Sequence, residues 1–129
     1  SMCKRGSLAT IHAHTADVVL DRLAYYVSKS DARLPEFAVW SLIAQTVDFV
    51  VHIDLVRNEA DDGIPVRRVT SIVEVGGVGE SGGLATTEVW GIGDDGELAQ
   101  RAPLSARHLR RLRLAGYEPS DFAPSEAWA

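Results

Sequence analysis

The sequence has a single cysteine, no long apolar run and no excess of basic residues. The lone Cys3 excludes an internal disulfide framework and a cysteine-ligated zinc site. Apolar runs such as Phe49-Val50-Val51 are broken within a few residues, far short of the ~20 residues that span a bilayer. With 13 Lys and Arg against 18 Asp and Glu, the net charge is −5. Because nucleic-acid binding relies on basic side chains that neutralise phosphates, we expect no direct nucleic-acid partner. The lack of a disulfide framework favours a cytoplasmic domain.

What remains is the composition of an ordinary globular domain. The chain has 129 residues, of which 46% are hydrophobic and 24% charged. This length fits one domain, so residues 1–129 are predicted to form a single module. No charged segment followed by an apolar one stands near the N-terminus, so we expect no signal peptide.

Hydrophobic periodicity predicts an α/β fold. Apolar residues at helical spacing indicate helices over residues 16–29, from about Pro35 to residue 47, and over 106–115, with Thr15 as an N-cap and Gly116 ending the last helix. Strand patterns cover residues 8–13, 49–55, 66–75 and 84–92. The last three strands are joined by connections too short for a crossover helix, so they should form an antiparallel β-meander. The tail from Pro119 is expected to be irregular.

Two glycine- or aspartate-rich segments are predicted to be turns. Residues 76–83 contain five glycines but no following Lys-Ser/Thr and no helix, so a hairpin tip is favoured over a phosphate-binding loop. Asp61-Asp62 lies in a polar stretch that is typical of a simple turn.

The first strand carries a row of hydroxyl and imidazole groups. Residues two apart project to one face of a strand, so Thr10, His12 and His14 should line up, with Ser7 at the start. One interpretation is a structural histidine; another is a site that steadies a phosphate. A metal site using His12, His14 and Asp17 lacks further ligands, and a Ser7/His12/Asp17 triad lacks a Gly-x-Ser-x-Gly elbow. The residues alone leave these interpretations open.

Arginines cluster at two other places. Arg107, Arg110 and Arg111 share one side of the last helix, which also carries His108 and Arg113. This stripe is interpreted as a solvated face, a contact with acidic groups of a neighbouring subunit, or a weaker candidate for nucleic acid or anionic lipid. Arg67-Arg68 places one guanidinium on each face of a strand, where an ion pair at a sheet edge is the simplest expectation.

Several of these segments, taken together, resemble the secretion ATPases that drive type II and type IV secretion and Tad pilus assembly, most closely their CpaF/TadA-like branch. The matching segments follow the family's order and approximate spacing, and the end of the chain resembles the tails of actinobacterial members. They are the histidine box Gly6-Ser7-Leu8-Ala9-Thr10-Ile11-His12-Ala13, then Leu34-Pro35, Ile43-Ala44-Gln45, Val47-Asp48-Phe49-Val50-Val51 and Arg67-Arg68-Val69-Thr70-Ser71-Ile72-Val73-Glu74-Val75.

The resemblance implies part of a RecA-like (P-loop NTPase) domain, with the box strand in its parallel sheet, a β-meander and a C-terminal helix. It implies a cytoplasmic ring, usually a hexamer, peripheral to the inner membrane and working with a secretion or pilus platform protein. The cofactors of the parent protein are ATP and Mg²⁺. In the family the box histidine, here His12, lies near the γ-phosphate and acts in catalysis, with Gly6, Ser7 and Thr10 close to the nucleotide.

The sequence also departs from the family. It contains no Gly-x-x-x-x-Gly-Lys-Ser/Thr and no acidic strand end before the box to hold Mg²⁺. Phosphoryl transfer depends on positioning and charge neutralisation, so we expect the isolated chain to bind no cofactor or metal and to lack ATPase activity, although the parent protein is an ATP hydrolase. We also expect the isolated chain to self-associate. The alternatives are a stand-alone degenerate interaction module and, less favoured, a small metal-dependent hydrolase using His12 and His14.

Overall fold

The computed structural model describes residues 6–30, 33–57 and 62–118. Its three helices and four strands are, in chain order, α1 (Ala16–Lys29), α2 (Glu36–Thr46), β1 (Phe49–Val56), β2 (Val66–Val78), β3 (Leu84–Ile92), β4 (Leu98–Gln100) and α3 (Ala106–Leu114). The α/β class and the predicted helices are confirmed. β4 was not predicted, because three residues are too few to show a periodic pattern. No helix in the described ranges is long and apolar enough to cross a membrane.

The strands form one antiparallel sheet in the order β1-β2-β3-β4, which confirms the predicted meander. The glycine-rich segment is a hairpin, as expected, but β2 runs further than predicted and ends at Val78. The tip is closed by the Gly79 N–H, which donates to the Gly83 carbonyl at 2.7 Å. The pairing slips between Val75 and Val78, and here a Cβ on Gly76 would lie 3.0 Å from the Ala85 carbonyl oxygen. Glycine therefore permits this close approach.

Helices α1 and α2 cover one face of the sheet. Apolar side chains recur at helical spacing on both helices, and they bury against alternate residues of β1 and β2. The buried cluster consists of Ala16, Val19, Leu20, Val39, Ile43, Val50, Val73 and Val75. None of these residues belongs to α3, so the main apolar core is built without that helix.

The opposite face of the sheet is covered at one end only. Glu74 lies between the core residues Val73 and Val75, so the alternation of a strand points it away from α1 and α2. Its cross-strand partner Phe49 packs against His108 of α3, with ring centroids 4.6 Å apart. Further along β1 the same face carries an apolar row of Val51, Ile53 and Leu55, which are 51%, 58% and 58% exposed. The apolar face predicted for this strand is therefore largely outside the core.

The helix ends show which of the predicted capping residues form capping interactions. Thr15 is the N-cap of α1 in extended conformation, but its side chain makes no capping hydrogen bond. Pro35 is the N-cap of α2 rather than a residue of its first turn, so this helix begins one residue later than predicted, at Glu36. At the end of α3, Gly116 has φ +95°, and the Tyr117 N–H donates to the Leu112 carbonyl at 3.0 Å. Together with the Gly116 N–H bond to Arg113, this is a Schellman motif, so the predicted glycine stop is confirmed.

The strand predicted over residues 8–13 is wrong. This segment lies outside the regular secondary structure, and the sheet of the described residues is wholly antiparallel, so it contains no parallel box strand. An isolated extended segment becomes a strand only when a neighbour completes its hydrogen bonds, and no described strand pairs with it.

Three expectations lie wholly or partly outside the described residues. Cys3, Asp61 and the tail from Pro119 are not part of the ranges given above. Asp62 is described, has φ +52° and stands in a turn, as predicted for this stretch.

Candidate functional site

The histidine-box segment alternates in burial only from Thr10 onward, although it is not a strand. Ser7, Thr10 and His12 are exposed, whereas Ile11 and Ala13 are partly buried against the core cluster. The two apolar residues thus anchor the segment, and the alternate polar residues stay accessible. Gly6 is also exposed, and a Cβ there would meet no atom within 4 Å of the described chain.

The backbone at His12 is tied to helix α1. The Arg22 guanidinium donates a hydrogen bond from Nη1 to the His12 carbonyl oxygen. The side chains of Ser7, Thr10 and His12 have no hydrogen-bond partner within the described ranges. The segment therefore presents two hydroxyls and one imidazole that are free to meet a ligand.

The structure does not bring together the residues of the metal site or of the nucleophilic triad that were considered for this segment. Within residues 6–30, 33–57 and 62–118, no group of three His, Cys, Asp or Glu side chains is arranged to hold a metal ion. His12, His14 and Asp17 all lie in those ranges, so the structure does not bring them together as ligands. No hydrogen bond in this part of the chain links Ser7, His12 and Asp17 as a nucleophilic triad requires.

A second cluster, the His108 cluster (Asp48, Glu74, Ser105, His108 and Arg111), joins α3 to the sheet. His108 is 3% exposed and lies between two carboxylates. Its Nδ1 contacts Glu74 Oε1, and its Nε2 lies 3.1 Å from Asp48 Oδ1. Ser105 Oγ donates to Glu74 Oε1 at 2.6 Å, and Arg111 Nη1 donates to Asp48 Oδ1 at 2.8 Å. Every buried polar side chain of this cluster is therefore satisfied.

The two carboxylates of the cluster have opposing influences on their pKa values. Burial alone raises the pKa of Glu74, but hydrogen bonds from Ser105 and His108 and the nearby imidazole outweigh it and hold the pKa below its ordinary value. Asp48 behaves in the same way: burial raises its pKa, but the hydrogen bonds and charges of His108 and Arg111 outweigh burial and hold the pKa below its ordinary value. Both carboxylates are therefore ionised at neutral pH.

The His108 cluster has the residue types of a serine hydrolase but not its arrangement. In such a triad one imidazole nitrogen takes the serine proton. Here both ring nitrogens face carboxylate oxygens, and the Ser105 hydroxyl donates to Glu74. Ser105 is also the N-cap of α3, where its Oγ accepts from the His108 N–H. The cluster is a structural link between α3 and the sheet rather than a nucleophilic site.

The arginine stripe of α3 divides in two. Arg107 and Arg111 pair with Asp48 of the same chain, at 3.6 and 2.8 Å, while Arg110 and Arg113 are exposed. An intramolecular partner was not among the interpretations of this stripe. Asp48 lies just before β1, at the end of the sheet against which α3 packs.

The expected ion pair at Arg67-Arg68 is present in part. Arg68 Nη1 lies 3.3 Å from Glu97 Oε1. Arg68 lies on the part of β2 that pairs with β1, whereas the pairing of β2 with β3 begins at Ser71.

Sequence reasoning missed the His108 cluster, although one signal was available. Glu74 interrupts the apolar run Ile72-Val73-Glu74-Val75, and a carboxylate within such a run needs a buried partner. The sequence does not say which basic residue fills that role, because His108 is 34 positions away. Comparison with known proteins adds no candidate: no family model matches the chain, and no curated protein matches it.

Proposed function

We propose that this chain is the C-terminal part of a cytoplasmic ring ATPase that powers type II or type IV secretion or Tad pilus assembly. In this proposal the chain contributes the histidine box, and the P-loop and the Mg²⁺ ligand come from residues N-terminal to this sequence. The ring is a hexamer that works against a platform protein at the inner membrane. The proposal rests on the resemblance of several ordered segments along most of the chain.

The observation that best supports the proposal is the contrast between His12 and His108. His108 is buried and bonded through both nitrogens, as a structural histidine should be. His12 is exposed and has no side-chain partner among the described residues, although its backbone is tied by Arg22. The solvent-accessible imidazole of His12 is therefore available to contact a ligand, whereas that of His108 is not.

The chemistry of the box fits the terminal phosphate of a nucleotide. Hydroxyls and imidazole N–H groups donate hydrogen bonds to phosphate oxygens, and the exposed side chains of Ser7, Thr10 and His12 offer these donors within one short segment. When ATP is bound, its γ-phosphate would be contacted by His12, with Ser7 and Thr10 nearby. The bond from Arg22 to the His12 carbonyl then links this contact to helix α1.

The proposal predicts that the isolated chain is inactive. Without a P-loop lysine and a Mg²⁺ ligand, the isolated chain lacks the main groups that position the phosphates and neutralise their charge during phosphoryl transfer. Calorimetric titration with Mg-ATP and a phosphate-release assay should therefore show neither micromolar binding nor turnover. Tight binding or steady hydrolysis by this chain alone would contradict the proposal.

A pair of histidine variants tests the role of His12 in the full-length protein. His12→Gln should lower ATP turnover at least about tenfold, or about 1.4 kcal/mol in the barrier. His52→Gln is the matched control, because His52 is not part of the box; it lies on β1 and bonds Thr70 at 2.9 Å. Equal turnover for wild type and His12→Gln would refute the assigned role.

A second candidate function, a stand-alone interaction module, is favoured by the exposed apolar row on β1. The reading frame distinguishes the two: a P-loop encoded upstream supports the ATPase, and a start codon at the beginning of this sequence supports the module. The third hypothesis, a metal-dependent hydrolase, requires stoichiometric metal in the purified protein.

A further inference from the structure

Strand β1 is a free edge of the sheet with an apolar surface. It is the outermost strand, paired with β2 on one side and with no described strand on the other. Val51, Ile53 and Leu55 are each more than half exposed on one of its faces. Long apolar edge strands are templates for pairing with another chain, unless charges or bulges block them.

The outward backbone groups of β1 belong to its odd-numbered residues. The Leu55 N–H is taken by the Asp54 carboxylate at 2.7 Å rather than by β2, which puts it on the free edge. Since successive residues of a strand direct their N–H and C=O groups to opposite sides, Ile53 and Val51 also present theirs outward. The register slip between β1 and β2 adds its extra residue on β2, so the alternation along β1 is unbroken.

The order of side chains on β1 is complementary to itself. When two copies run antiparallel about a two-fold axis at Ile53, Ile53 meets Ile53 and Val51 meets Leu55 of the second copy. These are pairs of odd-numbered residues, so their outward backbone groups meet and form about four hydrogen bonds directly. About two more, from the Leu55 N–H of each copy, form when the Asp54 carboxylate releases that N–H. The same register makes the apolar row continuous across both copies.

The other face of the strand is complementary in charge. In this register His52 stands opposite Asp54 of the second copy, and Asp54 stands opposite His52. His52 bonds Thr70 through Nδ1, and its Nε2 has no partner among the described residues. An imidazole N–H and a carboxylate on directly opposed positions form a favourable cross-strand pair. One register thus satisfies the apolar face, the polar face and the backbone.

We propose that two copies of this chain associate through antiparallel pairing of β1 with β1, forming one sheet of eight strands, four from each copy. The occupant of the free edge is a second copy of the chain. This contact is isologous and differs from the head-to-tail interfaces of a ring, so it stands or falls independently of the proposed ATPase function.

Solution mass measures the association. A strand-to-strand contact is at the small end of specific interfaces, so the dimer should form with rising protein concentration. Light scattering and sedimentation should show a shift from one to two copies. Ile53→Lys puts two like charges on the two-fold axis, at a side chain that is already 58% exposed, and should abolish the shift. Leu98→Lys, on the opposite edge strand β4, is the control and should keep it.

Cysteine cross-linking tests the register. In a Cys3→Ser background, Ile53→Cys should form a disulfide-linked dimer, because directly opposed Cα atoms of a hydrogen-bonded pair lie about 5.5 Å apart, within disulfide range. Val51→Cys alone should not, since the two copies of residue 51 are four positions, or roughly 13 Å, out of register. A mixture of Val51→Cys and Leu55→Cys should cross-link.

Several results would overturn the proposal. They are a strictly monomeric chain at the highest concentration, a dimer that survives Ile53→Lys in a folded variant, and self-cross-linking of Val51→Cys that exceeds that of Ile53→Cys. A dimer lost only in Leu98→Lys would assign the contact to β4 instead. A folded circular dichroism spectrum for each variant keeps these outcomes interpretable.

Discussion

Replacing Glu74 with glutamine tests whether the His108 cluster stabilises the fold. The change keeps the shape of the side chain and removes its charge. In the wild type, Glu74 receives hydrogen bonds from the Ser105 hydroxyl, the Ser105 N–H and His108. In the variant, the amide oxygen keeps one acceptor, but the amide NH₂ opposes either the Ser105 N–H or the imidazole.

The loss of stability expected for Glu74→Gln follows from the burial of the cluster. Glu74 is 5% exposed and His108 is 3% exposed, so little solvent is present to replace the lost charge. Hydrogen bonds to a charged group are each worth about 1.5–3 kcal/mol, and because the amide retains one acceptor, Glu74→Gln should cost about 3 kcal/mol in all. The same substitution at Glu88, whose carboxylate accepts from Ser71 at an exposed position on β3, should cost at most about 0.5 kcal/mol.

Urea unfolding at pH 7, followed by tryptophan fluorescence, gives the free energy of unfolding for both variants. The expected result is a large shift for Glu74→Gln and almost none for Glu88→Gln. If Glu74→Gln costs less than about 1 kcal/mol, the cluster is not the structural link that its geometry indicates.

The pH dependence provides an independent check. The pKa of Glu74 is lower in the folded state than its ordinary value, so the unfolded chain binds the proton more readily. The stabilisation is complete above the ordinary glutamate pKa of about 4.3 and is lost as the pH falls through the lowered folded-state value. The difference in free energy of unfolding between wild type and Glu74→Gln should therefore shrink as the pH falls through the folded-state pKa of Glu74. A constant difference down to strongly acid pH would contradict this reasoning. Asp48 contributes less, since its side chain is 41% exposed.

Further substitutions test backbone features by urea unfolding. Gly76→Ala should cost about 1–3 kcal/mol, because its Cβ would lie 3.0 Å from the Ala85 carbonyl oxygen, whereas Gly77→Ala meets no atom within 4 Å and should cost less than 1 kcal/mol. An equal cost at both positions would refute the steric argument. Gly116→Ala should cost about 1–2 kcal/mol, because it forces an L residue to φ +95° in the Schellman turn; an unchanged midpoint would show that this helix end is not constrained.

The helices and long strands could be predicted because their signals are local. The spacing of Val19, Leu20 and Leu23 fixes the buried side of α1 without reference to the rest of the chain. The strand over residues 8–13 could not be judged in this way, because the same alternation exists in an extended segment with no neighbour. β4 was missed for a different reason, since its pairing with β3 follows the turn at Gly96 and not its own three residues.

The candidate site could be predicted only where its residues are contiguous. The histidine box lies in one short segment, and alternation grouped Thr10, His12 and His14, which are all exposed in the structure. The His108 cluster depends on the meander, which brings Asp48 and Glu74 to one end of the sheet, and on α3, which returns to that end 60 residues after Asp48. Charge patterning along α3 showed the arginines but not the acidic partner in the same chain.

Helix α3 is held to the sheet by a different type of interaction from the one that holds α1 and α2. The apolar cluster joins α1 and α2 to the sheet, whereas the one buried residue of α3 is a histidine bound to carboxylates. This terminal helix should therefore open and close as a unit of its own, with amide protons that exchange with solvent before those of the apolar interior. Acidification would loosen the end of the chain first and leave the helical layer on the far side in place.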